Sequence, residues 1–228
     1  MSFFYQCSLH LNLFKSFLKK TFEKKNSKYS LFLKNYFIKK KVGIYIDVGC
    51  YHPTRLSNTS FLYNKGWRGI NIDISKKSID LFKIARKKDI NLNLGIGNRE
   101  GISEAYFQKD LFHANTLVYE HAKKFLNKII KKKINVVTLG SIIDRYIKNK
   151  KIDFIDIDCE GKDLEVLQGI NLNQNEIDLI SIEMHGYDNK TKKSSELIFD
   201  IMEKNSFKKI YGTYPGIMIF KNYKSINI

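Results

Sequence analysis

Acidic side chains and one histidine crowd the ends of two apolar runs in this chain. The run Ile152 to Ile157 leads into Asp156-Ile157-Asp158-Cys159-Glu160-Gly161. If a strand persists through it, alternation puts Asp156, Asp158 and Glu160 on one face. Three like charges are costly together unless a cation, a lysine or several backbone donors offset them. The run Ile177 to Glu183 ends in Glu183-Met184-His185-Gly186, which brings an acid and an imidazole to one side. A carboxylate beside histidine fixes its tautomer and raises its basicity, as a general base requires. His185 is therefore the first candidate for accepting a proton, followed by Glu160 and Asp158. A satisfied structural histidine and a helix-capping Glu160 are the plainer alternatives. No metal is expected, although Asp158, Glu160, Glu183 and His185 together are of the types that hold a divalent ion.

Two further strand ends carry groups suited to a nucleoside. Asp47-Val48-Gly49 closes the first apolar run, and the glycine lets backbone approach a ligand. Asp73 closes the second run, 24 positions after Gly49. That is near the ~20-residue spacing at which an acid holds ribose hydroxyls. Cys50, Tyr51, His52 and Pro53 fill the loop where a phosphate-binding G-x-G-x-x-G would stand. Without those glycines the pattern favours S-adenosylmethionine, which has no pyrophosphate, over a dinucleotide. A helix-dipole role for Asp73 is the alternative.

Such residues must be carried to one edge of a parallel sheet, and the chain supplies the elements. Short β-branched runs alternate with helix-period segments from residue 44 onward, the signature of βαβ units. Strands are expected at Ile44 to Val48, Gly69 to Ile74, Asn91 to Ile96, Ile152 to Ile157 and Ile177 to Glu183. An antiparallel pair is expected at Phe207 to Tyr211 and Gly216 to Phe220, and a short strand at Asn135 to Thr138. Ser57 or Asn58 can cap a first helix ended by Gly66, and Ser75 can cap the next. Further helices are expected over Leu117 to Ile130, Ser141 to Ile147 and from Asp163 to Gln168.

The charge is uneven. Of the formal +17, residues 1–41 contribute +9, from ten lysines against Glu23 alone. Leu11, Phe14, Phe17, Leu18 and Phe22 recur near helical spacing among Lys15, Lys19 and Lys20, which reads as a basic amphipathic helix. A second apolar cluster spans Leu31 to Ile38. These are expected either to pack on the domain or to lie on an anionic membrane surface. We divide the chain into this extension, residues 1–41, and a main domain, 42–228. No apolar run is long enough to span a bilayer, no secretory signal is visible, and the three scattered cysteines form no C-x-x-C pair. A cytoplasmic location, with peripheral membrane contact as a variant, is the expectation.

The chain resembles FkbM-family methyltransferases. The resemblance rests on Asp47-Val48-Gly49-Cys50-Tyr51-His52-Pro53, Ser57-Asn58-Thr59 and Gly66-Trp67-Arg68-Gly69-Ile70 running to Asp73. It continues through Asn91 to Gly101, Asn115-Thr116, Thr138-Leu139 and Ile152 to Gly161, covering roughly 42 to 221. It implies an α/β class, a Rossmann-like class I methyltransferase fold with a mostly parallel seven-stranded sheet, an antiparallel C-terminal strand pair and the N-terminal helical extension. It also implies S-adenosylmethionine at Asp47, Gly49, Cys50, Asp73, Ile74, Gly97 and Asp158, with methyl transfer commonly to hydroxyls of sugars, glycans or natural products. Cys50, Cys159 and Gly140 depart from residues usual in the family. The alternatives are a nucleic-acid methyltransferase, disfavoured by the lack of an RNA module or an amine-methylating motif, and a noncatalytic cofactor-binding partner in glycan assembly.

Overall fold

The computed structural model describes residues 2–22 and 28–224. The side chains of Lys19, Lys20 and Phe22, part of the expected amphipathic pattern, lie outside the described residues, as do Glu23 and residues 225–228. Strands in chain order are β1 (Ile44–Val48), β2 (Arg68–Asp73), β3 (Ile90–Asn93), β4 (Gly95–Gly97), β5 (Gly101–Phe107), β6 (Ile130–Thr138), β7 (Ile152–Ile157), β8 (Ile177–Met184), β9 (Phe207–Tyr211) and β10 (Gly216–Asn222). Helices are α1 (Phe3–Phe22), α2 (Lys28–Tyr36), α3 (Ser60–Asn64), α4 (Lys76–Ala85), α5 (Tyr119–Phe125), α6 (Leu139–Tyr146), α7 (Asp163–Gln168) and α8 (Asn189–Lys204).

Seven strands form one sheet in the order β3-β2-β1-β7-β8-β10-β9, parallel except where β10 pairs with β8 and β9. This is the Rossmann-like arrangement that the resemblance implies. Strand alternation divides its two faces. Ile46, Val48, Ile70, Ile155 and Ile157 meet α6, α7 and α8, while Tyr45, Phe154, Leu179 and Ile219 meet α2 and α3. All six residues of β7 are buried, as expected of a central strand covered on both sides.

Two expected elements differ. The run Asn91 to Ile96 is not one strand, because the Asn93 amide donates to the carbonyls of Asp73 and Ile74, each at 2.9 Å. This breaks the extended run at the end of β2, and Gly95–Gly97 continues instead in a small second sheet, β4-β6-β5. The expected helix Leu117 to Ile130 stops at Phe125, and the short strand at Asn135 lengthens to Ile130–Thr138. Its lysine-rich start is exposed on the second sheet, so polarity concealed a strand that pairs along all of β5.

The helices ahead of the sheet differ in attachment. In α2, Leu33 is fully buried, and Phe37 just beyond it packs edge-on against Trp67 with ring centroids 4.9 Å apart. Tyr29 donates to Asp156 Oδ1 at 2.9 Å and meets the Ser181 hydroxyl at 2.8 Å. Helix α2 is thus part of the core, inside the segment expected as an extension. Among its described residues, helix α1 buries a single large apolar side chain, Leu9, and is otherwise held by polar contacts: Tyr5 to Asp80 at 2.9 Å, Asn12 to His52 at 2.9 Å and Ser16 to Thr54 at 2.6 Å. Phe3, Phe4, Leu11, Phe14 and Leu18 face outward. No described helix is long and apolar enough to cross a membrane.

Candidate active site

A cleft opens at the carboxyl ends of β1, β2 and β7, where parallel sheets bind ligands. Of the residues expected at the cofactor, Gly49, Asp73, Ile74 and Asp158 line it, joined by Leu94, Ile96, Phe112 and Leu117 as apolar walls. Gly49 makes the turn at φ +84°, donating its N–H to Ile72 at 2.9 Å, while Asp158 N–H donates to Val48 at 3.0 Å. The ends of three strands are thereby tied together.

Asp73 stands at the cleft wall. One oxygen accepts from Tyr51 N–H and the other from Ser75 N–H, both at 2.7 Å. Each carboxylate oxygen keeps further acceptor capacity beyond these bonds. Burial pushes its pKa up to about 6, against the lowering effect of those backbone donors.

Asp47, Cys50 and Gly97 do not line the cleft. Alternation turns Asp47 away from Val48, and its carboxylate accepts from the Thr59 hydroxyl beneath the site. Burial and the charge of Asp156 push Asp47 up to about 7 despite Arg86. Arg86 is itself buried and donates to Thr59 at 2.7 Å, Pro53 carbonyl at 2.8 Å and Ser57 at 2.6 Å. Ser57 therefore serves this network rather than capping a helix, and Asn58 donates to Asp156 at 2.8 Å. Cys50 packs its thiol with Ile79 and Phe82, and its N–H is taken by the Ile72 carbonyl. The carbonyl oxygen of Gly97 is turned to Gly169, where it fills the space a side chain on Gly169 would need.

His52 organises the loop. Its Nδ1 accepts from the N–H groups of Thr54 and Arg55 at 3.2 and 3.1 Å, so Nε2 carries the proton donated to Asn12. Burial and the Arg55 charge lower its pKa to about 4, which keeps it neutral.

Beside the cleft, the acidic strand ends converge. Asp156 is not among them, because β7 ends at Ile157 and Asp156 remains under α2. The chain then turns sharply through Glu160, a non-glycine residue at φ +50°. Asp158, Glu160 and Glu183 bring oxygens within 4.8 Å of one another. Glu183 Oε2 and His185 Nε2 lie 3.2 Å apart, as their same-side placement on one strand end led us to expect. Burial and the charges of Glu183 and Glu160 push Asp158 well above the usual carboxylate range. Burial lowers the His185 pKa, but pairing with Glu183 more than reverses this and leaves it raised. Burial likewise raises Glu183, yet His185 holds it below its ordinary value. Asp158 and Glu160 line the cleft, whereas His185 stands behind them.

One member of the cluster escaped the sequence reading. His121, in α5, places Nε2 2.9 Å from Glu160 Oε2, and its Nδ1 lies 3.1 Å from the Tyr187 hydroxyl. No strand end or spacing marks it in the lysine-rich segment. Arg86 left a fainter signal, as one of five arginines in a chain that otherwise uses lysine for positive charge.

The family model of the methyltransferase FkbM domain matches residues 47–209. Comparison with curated proteins gives no match. Among solved structures, the chain is similar to a TehB-like SAM-dependent methyltransferase from Corynebacterium glutamicum, with 10% identity and a TM-score of 0.45, covering 93% of this chain and 98% of that one. It is also similar to a protein from Clostridium thermocellum assigned provisionally as an rRNA methylase, with 12% identity, a TM-score of 0.48, and coverage of 86% and 97%.

Proposed function

This chain belongs to the FkbM family of methyltransferases, and on that premise we propose that it moves the methyl group of S-adenosylmethionine to a hydroxyl of a sugar, glycan or natural product. The observation that carries the reading is the meeting of two unlike walls in one cleft. Asp73 with the apolar residues Ile74, Leu94 and Phe112 suits an adenosine, and Asp158 with Glu160 opens onto an acid-imidazole cluster.

Asp73 accepts the ribose hydroxyls, Gly49 keeps the turn beneath them compact, and the apolar walls cover the base. When bound, the cofactor supplies an electrophilic methyl carbon on a sulfonium. An acceptor oxygen held in line forms the new C–O bond as the C–S bond breaks, and its proton leaves toward the Asp158, Glu160, Glu183 and His185 cluster. Alignment supplies most of the acceleration, with roughly 10² to 10⁴-fold from proton removal.

The test is incubation with S-adenosylmethionine labelled in its methyl group and separated glycan, lipid, small-hydroxyl and RNA fractions. Label in an alkali-stable ether of the glycan or small-molecule fraction is expected. Label in RNA alone would replace this reading with nucleic-acid methylation, and S-adenosylhomocysteine formation in no fraction would favour a noncatalytic binding partner.

The outward row of Phe4, Leu11 and Phe14 on α1, with Lys15 beside it, supports a second proposal: α1 rests on an anionic membrane surface.

A further inference from the structure

We propose that His121, Glu160, Glu183 and His185 bind one divalent transition-metal cation of the Mn²⁺ or Zn²⁺ type, with Asp158 next to it, beside the cofactor cleft. Three observations converge on it. The side chains come from α5, the loop after β7 and the end of β8, so distant parts of the chain are folded onto one point. His121, Glu160 and His185 bring donor atoms within 4.8 Å of one another, and Glu160 is shared with the Asp158 and Glu183 set.

Second, the polar atoms aimed into this space lack partners. His121 is 2% exposed. Its Nε2, His185 Nε2 and Glu183 Oε2 are buried without a hydrogen bond. His121 Nε2 is nevertheless only 2.9 Å from Glu160 Oε2, and His185 Nε2 only 3.2 Å from Glu183 Oε2. A proton on either ring nitrogen is not directed at the neighbouring oxygen. Buried groups of this kind are costly when unpaired. Donors sharing a cation at ~2.1 Å lie about 3.0 to 3.4 Å apart along the edges of an octahedron or tetrahedron, close to these separations.

Third, the outer partner is in place. The Tyr187 hydroxyl, 3.1 Å from His121 Nδ1, can accept its N–H and so turn the Nε2 lone pair inward. Two imidazoles among carboxylates suit a transition metal better than Mg²⁺ or Ca²⁺, which prefer oxygen throughout. The cation also offsets the crowding of Asp158, Glu160 and Glu183.

Its chemical role rests on the methyl-transfer reading. An acceptor hydroxyl bound there ionises more readily and loses its proton through the cluster to water. Its oxygen lone pair then forms the C–O bond while the C–S electron pair returns to sulfur.

The site is tested on the full chain without acceptor, so its failure is separable from failure of the methyltransferase reading. After chelator treatment and desalting, Zn²⁺ and Mn²⁺ are titrated separately and the metal retained per chain is measured. One equivalent of at least one of them is expected. Affinity for it should fall at least tenfold in His121→Gln and in Glu183→Gln, while S-adenosylhomocysteine affinity stays within threefold. If His121→Gln does not fold, Glu183→Gln carries the decision. A chain at +17 has little general attraction for cations, so stoichiometric uptake is informative. No retained metal, or equal retention in a folded variant, overturns the site. Metal retention without any S-adenosylhomocysteine binding would leave the site standing and sink the cofactor reading alone.

Discussion

The carbonyl oxygen of Asp158 occupies the space that a side chain on Gly49 would need. Gly49 also holds φ +84°, so Gly49→Ala meets both a left-handed backbone and a backbone clash. Strain of this kind costs about 1 to 3 kcal/mol, before any shift of β1 against β7. The variant should melt at lower temperature and bind S-adenosylhomocysteine at least tenfold more weakly by calorimetry. Unchanged affinity would move the cofactor away from this turn.

Asp73 gives the site a pH dependence with a definite sign. Its pKa is raised to about 6 without cofactor, and hydroxyl donors favour the ionised carboxylate. Affinity should be full above that pH and fall as pH drops through it, roughly tenfold at one unit below. Asp73→Asn should bind weakly throughout and lose the acid limb. A wild-type affinity that is flat from pH 5 to 8 would remove Asp73 from the ribose.

Helix α2 is tied to stability. Leu33 is fully buried against the aromatic side of the sheet, and Leu33→Ala should cost about 2 to 5 kcal/mol in urea unfolding. Deleting residues 1–41 should abolish cooperative melting, whereas deleting 2–22 should leave it. A cooperative transition in the longer deletion would mean that α2 is dispensable.

This contrast shows where the sequence was legible. Ile44–Val48 and Ile152–Ile157 were expected with the bounds observed, because a buried parallel strand is a short β-branched run with little else to imitate it. The placement of Asp73 and Asp158 at the cleft was readable for the same reason, since each stands at the end of such a run. Strand β6 was only partly legible because exposed lysines fill its first half. His121 was invisible: its role comes from α5 folding over the loop at Glu160, a relation between residues 39 positions apart with no local pattern. Asp47 failed differently. Its position beside Gly49 suggested the cofactor, but period-two alternation turned it to the other face, toward Thr59 and the Arg86 network.

The outward face of α1 predicts a surface effect. Replacing Phe4, Leu11 and Phe14 together with serine should leave melting nearly unchanged, because all three are exposed. Sedimentation with phosphatidylserine-containing vesicles should fall severalfold, and wild-type binding should weaken as salt rises. Equal binding of both chains, or none by wild type at low salt, would leave α1 as a packing helix only.

The final expectation separates the two walls of the cleft kinetically. On the proposed reading Asp73 meets the bound cofactor before any reaction, so Asp73→Asn should raise the S-adenosylhomocysteine Kd. On the same reading His185 and Glu160 belong to the cluster toward which the acceptor proton leaves, and their contribution would appear only as the reaction proceeds. His185→Ala and Glu160→Gln should therefore cut kcat by about 10² to 10⁴-fold while Kd changes by less than about threefold. Of the two, Glu160 is the group that lines the cleft, and His185 lies behind it against Glu183. A smaller loss in His185→Ala than in Glu160→Gln would put Glu160 at the acceptor and His185 in a supporting position. The proposal fails for both if calorimetry shows the cofactor lost in proportion to turnover, since the cluster would then be holding the donor rather than acting on the acceptor.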